Sequence, residues 1–177
     1  MILLTILKYF SQFVSREALV NFFQASSGHA YDMAKEEVLA VPDKNRISGL
    51  EHFIFGINTD AVKSRISSVA GPYLFIDYSN IVSTLSKQDV KTDSFHIAVT
   101  VAQAHPNDED AFAETLCQAE CLEVLKMIRE KMRDDADLDY CIEWLPFPTT
   151  ISPFVAKELS NSYGFTMELD LKAIDAV

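Results

Sequence analysis

The chain has 177 residues, 49% of them apolar and 23% charged, with five glycines and six prolines. That is the balance of one globular domain, long enough to bury about 70% of its unfolded surface without a disulfide or metal staple, and it excludes a disordered chain, a collagen-like repeat and a glycine-rich low-complexity segment. Fifteen bases against twenty-six acids give a net charge of −11, which argues against gripping a phosphate backbone, because duplex binding takes clustered Lys and Arg.

At the start of the chain, Leu3, Ile6, Leu7, Phe10, Phe13 and Val14 recur at helical spacing, with Thr5, Lys8, Ser11 and Gln12 on the other face. The spacing predicts an amphipathic helix. Its stripe packs either on its own domain or on a neighbouring subunit; Leu3, Ile6, Phe10 and Phe13 are the candidate interface residues. The apolar run is too short to span a bilayer, which takes about 20 residues, and lacks the basic leader and small-residue cleavage site of a signal peptide. Its polar face carries almost no Lys or Arg, so membrane-surface binding is not expected. Ser15 reads as the N-cap of a second helix running through Ala18, Leu19, Phe22 and Phe23. Residues 26–31, around Gly28 and His29, read as a loop. Residues 1–30 are thus expected as a helical arm, and 31–177 as a single α+β domain.

Residues 38–41 read as a short strand that Pro42 ends, and residues 52–57 as a better one. A short helix is expected over 60–69, capped by Asp60, with Ala61, Ile66 and Val69 inward, and Gly71-Pro72 breaks it. Residues 73–78 form a strongly apolar strand. Residues 83–93 are polar and read as a hairpin connection. Phe95, Ile97, Val99 and Val101 then alternate with His96, Ala98, Thr100 and Ala102, the two-residue period of a half-buried strand.

His105-Pro106 stops that strand. Asn107 or Asp108 caps a helix whose first turn Glu109 and Asp110 favour. Phe112, Leu116, Ala119, Leu122, Leu125, Ile128 and Met132 are read as one apolar stripe of a helix of about 25 residues, roughly 37 Å long and able to cover a sheet. Asp134-Asp135-Ala136-Asp137 is expected to be its exposed end. Residues 140–144 read as a strand, Pro146 and Pro148 bracket a bend through Phe147, residues 152–159 read as one or two helical turns, and 163–171 as a final strand. This order predicts an α+β fold: a mainly antiparallel sheet covered on one face by a long helix, with an N-terminal amphipathic helix.

Chemical motifs are sparse. Residues 108–143 hold four bases and twelve acids. Asp134, Asp135, Asp137 and Asp139 form the expected acidic patch. Asp135, Asp137 and Asp139 match the first three ligands of a calcium loop, but the turn position is Tyr140 instead of Gly and the clamp position is Pro146 instead of Glu, so a solvated acidic helix end is the better reading. His29, His52, His96 and His105 show no zinc spacing. His96 reads as a hydrogen-bonded sheet histidine, and Glu143 as a solvent-facing strand residue. Cys117 and Cys121, four apart on a helix, read as buried thiols acting as small hydrophobes; with Cys141 they make an odd count and no disulfide framework, which points loosely to a reducing, cytoplasmic setting. No nucleophile motif, Walker loop or dinucleotide fingerprint is present. The expectation is a non-catalytic protein with no cofactor and no metal.

Three segments taken together resemble a known group. An acid-capped long helix over 108–133 follows an alternating strand, a strand over 140–148 closes in a proline bend, and Asn161-Ser162-Tyr163-Gly164-Phe165-Thr166-Met167-Glu168-Leu169 makes a last strand with an aromatic-Gly-aromatic entry. In element order this resembles the small tail-completion or tail-terminator proteins of tailed phages and prophages, over about residues 50–171; the arm is not covered. The resemblance implies an α+β protomer that forms a ring, with itself and other assembly proteins as partners, in the cytoplasm or the virion. An acidic lining would suit a DNA conduit by repelling phosphates. The alternative is an acidic interaction module that binds a basic partner, as an immunity or inhibitor protein does.

Overall fold

A computed structural model describes residues 2–23, 28–41, 43–57, 59–66, 71–85, 91–104, 110–135, 142–143 and 149–174. The chain order is α1 (Ile2–Ser11), α2 (Arg16–Val20), α3 (His29–Leu39), β1 (His52–Phe55), α4 (Thr59–Ile66), β2 (Pro72–Leu85), β3 (Lys91–Ala104), α5 (Ala111–Asp135), β4 (Ile142–Glu143), β5 (Thr150–Ala156) and β6 (Ser162–Ile174). The strands form one six-stranded sheet in the order β1-β2-β3-β6-β4, and β5 also pairs with β6. β1 runs parallel to β2, as a strand joined through a crossover helix must, and every other pairing is antiparallel. The fold class is α+β, as the sequence predicts.

α5 and α1 cover one face. Cys117, Cys121, Leu125, Ile128 and Met132 of α5 are buried with Ile97, Val99 and Val101 of β3 and Met167, Leu169 and Leu171 of β6. Both cysteines are free and buried, acting as small core hydrophobes. The expected stripe drifts: from Leu116 to Ile128 it steps by three residues at a time, and such steps walk backwards around a helix of 3.6 residues per turn. Phe112 (71% exposed) and Leu116 (49%) therefore face outward, while the buried set is spaced by fours and threes. Asp110 caps α5, its Oδ1 accepting from the amides of Phe112 and Ala113 at 3.0 Å each.

The N-terminal segment belongs to the same core. Ile6, Phe10, Phe13 and Val14 are wholly buried. The backbone after α1 is stitched to the segment after α3: the amides of Asp43, Asn45 and Ile47 donate to the carbonyls of Val14, Gln12 and Phe13 at 2.9–3.1 Å. Ser15 caps α2, as predicted, accepting from Ala18 N at 3.0 Å. The candidate interface is corrected here: Ile6, Phe10 and Phe13 are covered by their own chain, and only Leu3 keeps partial exposure.

Other differences have local causes. Residues 38–41 do not form a strand; Val38 and Leu39 close α3, which starts at His29 inside the expected loop and across the expected boundary at residue 30. A four-residue apolar run does not distinguish a strand from a helix end. Residues 150–156 extend as β5 rather than turning helically, and Pro153 is tolerated because β5 lies outside β6. Among the described residues, no helix is long and apolar enough to cross a membrane.

Tyr73 heads the smaller core on the opposite face, with Ile54, Val62, Ile66 and Phe75. Its hydroxyl is buried and has no hydrogen-bond partner among the described residues; the neighbouring Ser162 hydroxyl donates to the Leu159 carbonyl instead. Burial pushes the Tyr73 hydroxyl up to about 12 from its ordinary 10.0. A folded value above the unfolded one makes a contribution that is complete below pH 10 and lost as pH rises to 12, by about 1.4 kcal/mol per unit. Tyr73→Phe is thus expected to equal or exceed the parent stability at pH 8, by up to about 3 kcal/mol, since it removes an unpaired buried group. Its advantage should grow by a further 2–3 kcal/mol or so between pH 10 and 12. Urea unfolding at both ends of that range measures it, and an advantage independent of pH would show that the hydroxyl titrates as in the open chain.

Candidate assembly surface

β2 and β3 are each 14 residues long. No Gly or Pro interrupts residues 73–104, and Ile81, Val82, Thr84 and Thr92 are β-branched, so the chain favours long extended strands. The pairing continues to Thr84↔Thr92 and Leu85↔Lys91, in what the sequence suggested was connection; only 86–90 lies outside the described residues. A register shift between Tyr78 and Ile81 marks a bulge. Beyond it every residue of β2 from 81 to 85 is exposed, on both faces. Ile81 is 48% exposed, Val82 54% and Leu85 68%. Ser83 donates to the buried Asp93 carboxylate across the hairpin, at a level where β3 also pairs with β6 through Asp93↔Ala173.

Among the described strands, none pairs with the outer side of β2 over the same stretch. β1 pairs only with residues 73–76, and the Gly56 amide adds one bond to the Ile76 carbonyl. From Asp77 to Leu85, no described strand takes the backbone groups on that side. Edges of this kind are commonly blunted by Pro or Lys. Pro153 does so on β5. Residues 77–85 of β2 contain neither, and the bulge between Tyr78 and Ile81 bends the strand there.

An apolar cleft of about 510 Å³ lies at the other end of β2. Ser48, Gly49 and Pro72 form one wall, and Ala119, Leu122 and Val124 of α5 the other, with the acids Glu120 and Glu123 beside them. Cys121 also lines it; its thiol and that of Cys117 lie 3.8 and 3.9 Å from the Tyr163 carbonyl oxygen. The neighbouring Cys117 thiol and burial together push the Cys121 thiol far above its ordinary value.

The remaining predicted residues are scattered. His96 Nδ1 lies 3.0 Å from Asp170 Oδ1, its direct partner across β3 and β6, which makes it a hydrogen-bonded sheet histidine. Thr100 and Thr166 bond at 2.7 Å further along the same ladder. Asp77 sits on this face too; burial raises its carboxyl above the usual range, while the Tyr78 amide and His96 pull it back. The acidic patch divides. Asp134 is exposed, but the Asp135 side chain is only 12% exposed, accepting from the Tyr9 hydroxyl at 3.0 Å and from Lys131. It ties α1 to the end of α5, which corrects its reading as a solvated helix end. Asp137, Asp139, Cys141, His105 and the 146–148 bend lie outside the described residues, as does the Glu143 side chain. Among the described residues, no three His, Cys, Asp or Glu side chains gather as a metal site would require. Comparison of the chain with protein-family models, curated proteins and solved structures returns no match.

Proposed function

We propose that this chain is a non-catalytic assembly protein that forms a ring of identical copies, the role implied by its resemblance to phage tail-completion and tail-terminator proteins. The observation that carries the reading is the far end of β2, where Ile81, Val82 and Leu85 are exposed and no described strand pairs along the outer side. A single copy gains nothing from holding three aliphatic side chains in water at one end of a strand; a neighbour that covers them does. The alternative of an acidic module for a basic partner draws less support, because α5 meets much of its acidity with its own bases: Lys126 with Glu123, Arg133 with Glu130 and Lys131 with Asp135.

Native mass spectrometry at micromolar concentration tests the reading. The parent chain is expected as one discrete oligomer. Ile81→Asp with Val82→Asp, both at exposed positions, should reduce it to monomers while the circular dichroism spectrum and melting temperature stay within the range of ordinary surface changes, about 0.5 kcal/mol per site. A parent chain that is monomeric throughout that range sinks the proposal.

A further inference from the structure

We infer that Cys117 and Cys121 of α5 form a site for one soft metal ion held by two sulfurs, of which Cu(I) is the type. The two residues stand about one helical turn apart on the buried side of the helix, and both thiols are free. They converge on a single atom: their sulfurs lie 3.9 and 3.8 Å from the carbonyl oxygen of Tyr163 in β6. One fixed acceptor for two thiols holds them side by side before anything binds.

The spacing suits an ion better than a disulfide. Residues four apart on a helix have Cβ atoms about 5–6 Å from each other. A disulfide needs about 3.5–4.5 Å, so closing one would distort α5. Two metal–sulfur bonds of about 2.3 Å each set the sulfurs about 4.6 Å apart, which the helix allows. The donor set then selects the ion. Thiolates favour Cu(I), zinc and iron–sulfur clusters. Structural zinc and iron–sulfur clusters take four protein donors, and among the described residues no third His, Cys, Asp or Glu joins this pair. Cu(I), a soft monovalent ion, is stable on two sulfurs. Cys121 also lines the cleft between α5 and Pro72, which gives an ion a route to the buried pair, and Glu120 and Glu123 at that cleft attract a cation. On binding, each sulfur releases its proton to solvent and forms one bond to the ion. No electron is transferred, and the ion offsets one of the two thiolate charges.

The site does not depend on how copies assemble, and competition for Cu(I) tests it. The full chain carrying Cys141→Ser, reduced and free of oxygen, is titrated with Cu(I) held by a coloured chelator. It is expected to take one Cu(I) per chain, and X-ray absorption at the copper edge should show two sulfurs at one distance and no lighter ligand. Cys117→Ala and Cys121→Ala, each added to Cys141→Ser, should lose that equivalent while the circular dichroism spectrum stays that of the parent, because alanine keeps these positions small and apolar. A chain that leaves all the copper on the chelator overturns the inference, and so does a folded alanine variant that still takes its equivalent. A copper spectrum with a third ligand overturns it as well, and that measurement decides even where an alanine variant fails to fold.

Discussion

Gly164→Val is expected to leave the chain without a stable fold, and Gly164→Ala to lose about 3 kcal/mol or more. Gly164 faces Ala102 in the central β3–β6 pairing. A Cβ built there would lie 2.1 Å from the Val101 carbonyl oxygen, 2.6 Å from Ala102 Cα and 2.8 Å from Ala102 Cβ. The first two are backbone atoms of the neighbouring strand and the third is fixed to it, so no side-chain rotation relieves the overlap. The strands would have to part between the two cores that sandwich them. Circular dichroism and urea unfolding of both variants measure the effect, and a Gly164→Ala midpoint equal to the parent's would show that β6 can move away at no cost.

Phe10→Ala is expected to cost about 3–5 kcal/mol, which for a chain of this size lowers the melting temperature by about 6–20 °C in a single transition. Phe10 has no exposed surface. It meets Tyr9 edge-on at 5.3 Å and Phe13 at 6.2 Å between ring centres, beneath the sheet. A detachable arm would behave otherwise: the substitution would leave the main unfolding transition where it was. Differential scanning calorimetry distinguishes the two outcomes.

The sequence carries the fold class because it rests on long-period signals. The alternation of Phe95, Ile97, Val99 and Val101 and the length of the 111–135 helix survive any local ambiguity. The phase of that helix does not. Apolar residues on both sides of α5 allow two stripes, and choosing between them requires knowing that Phe112 and Leu116 have no sheet beneath them. The N-terminal stripe shows that residues 3–14 bury one side; it does not say against what, and the answer lies in backbone bonds to residues 43–47 that no periodicity encodes. The hairpin was legible in one respect, the absence of any Gly or Pro from 73 to 104. Its polar residues hid it, since a strand exposed on both faces loses the alternation by which strands are recognised. The cleft draws Pro72 and Ala119 together from distant parts of the chain, and no local pattern announces such a meeting.

The shared core also sets an order of events during synthesis. Ile6, Phe10 and Phe13 leave the ribosome about 160 residues before Met167, Leu169 and Leu171, and both groups end in one cluster. His96 and Asp170, partners at the centre of the sheet, are 74 residues apart. β2 and β3 meet early, as a local pair, while the other edge of β3 waits for a strand not yet translated. For the time it takes to make β4 and β5, the nascent chain presents a half-sheet with one bare β3 edge, and α5 has only the β3 part of its bed to lie on. Folding slowly through such a stage, it is then that a chaperone has most to do.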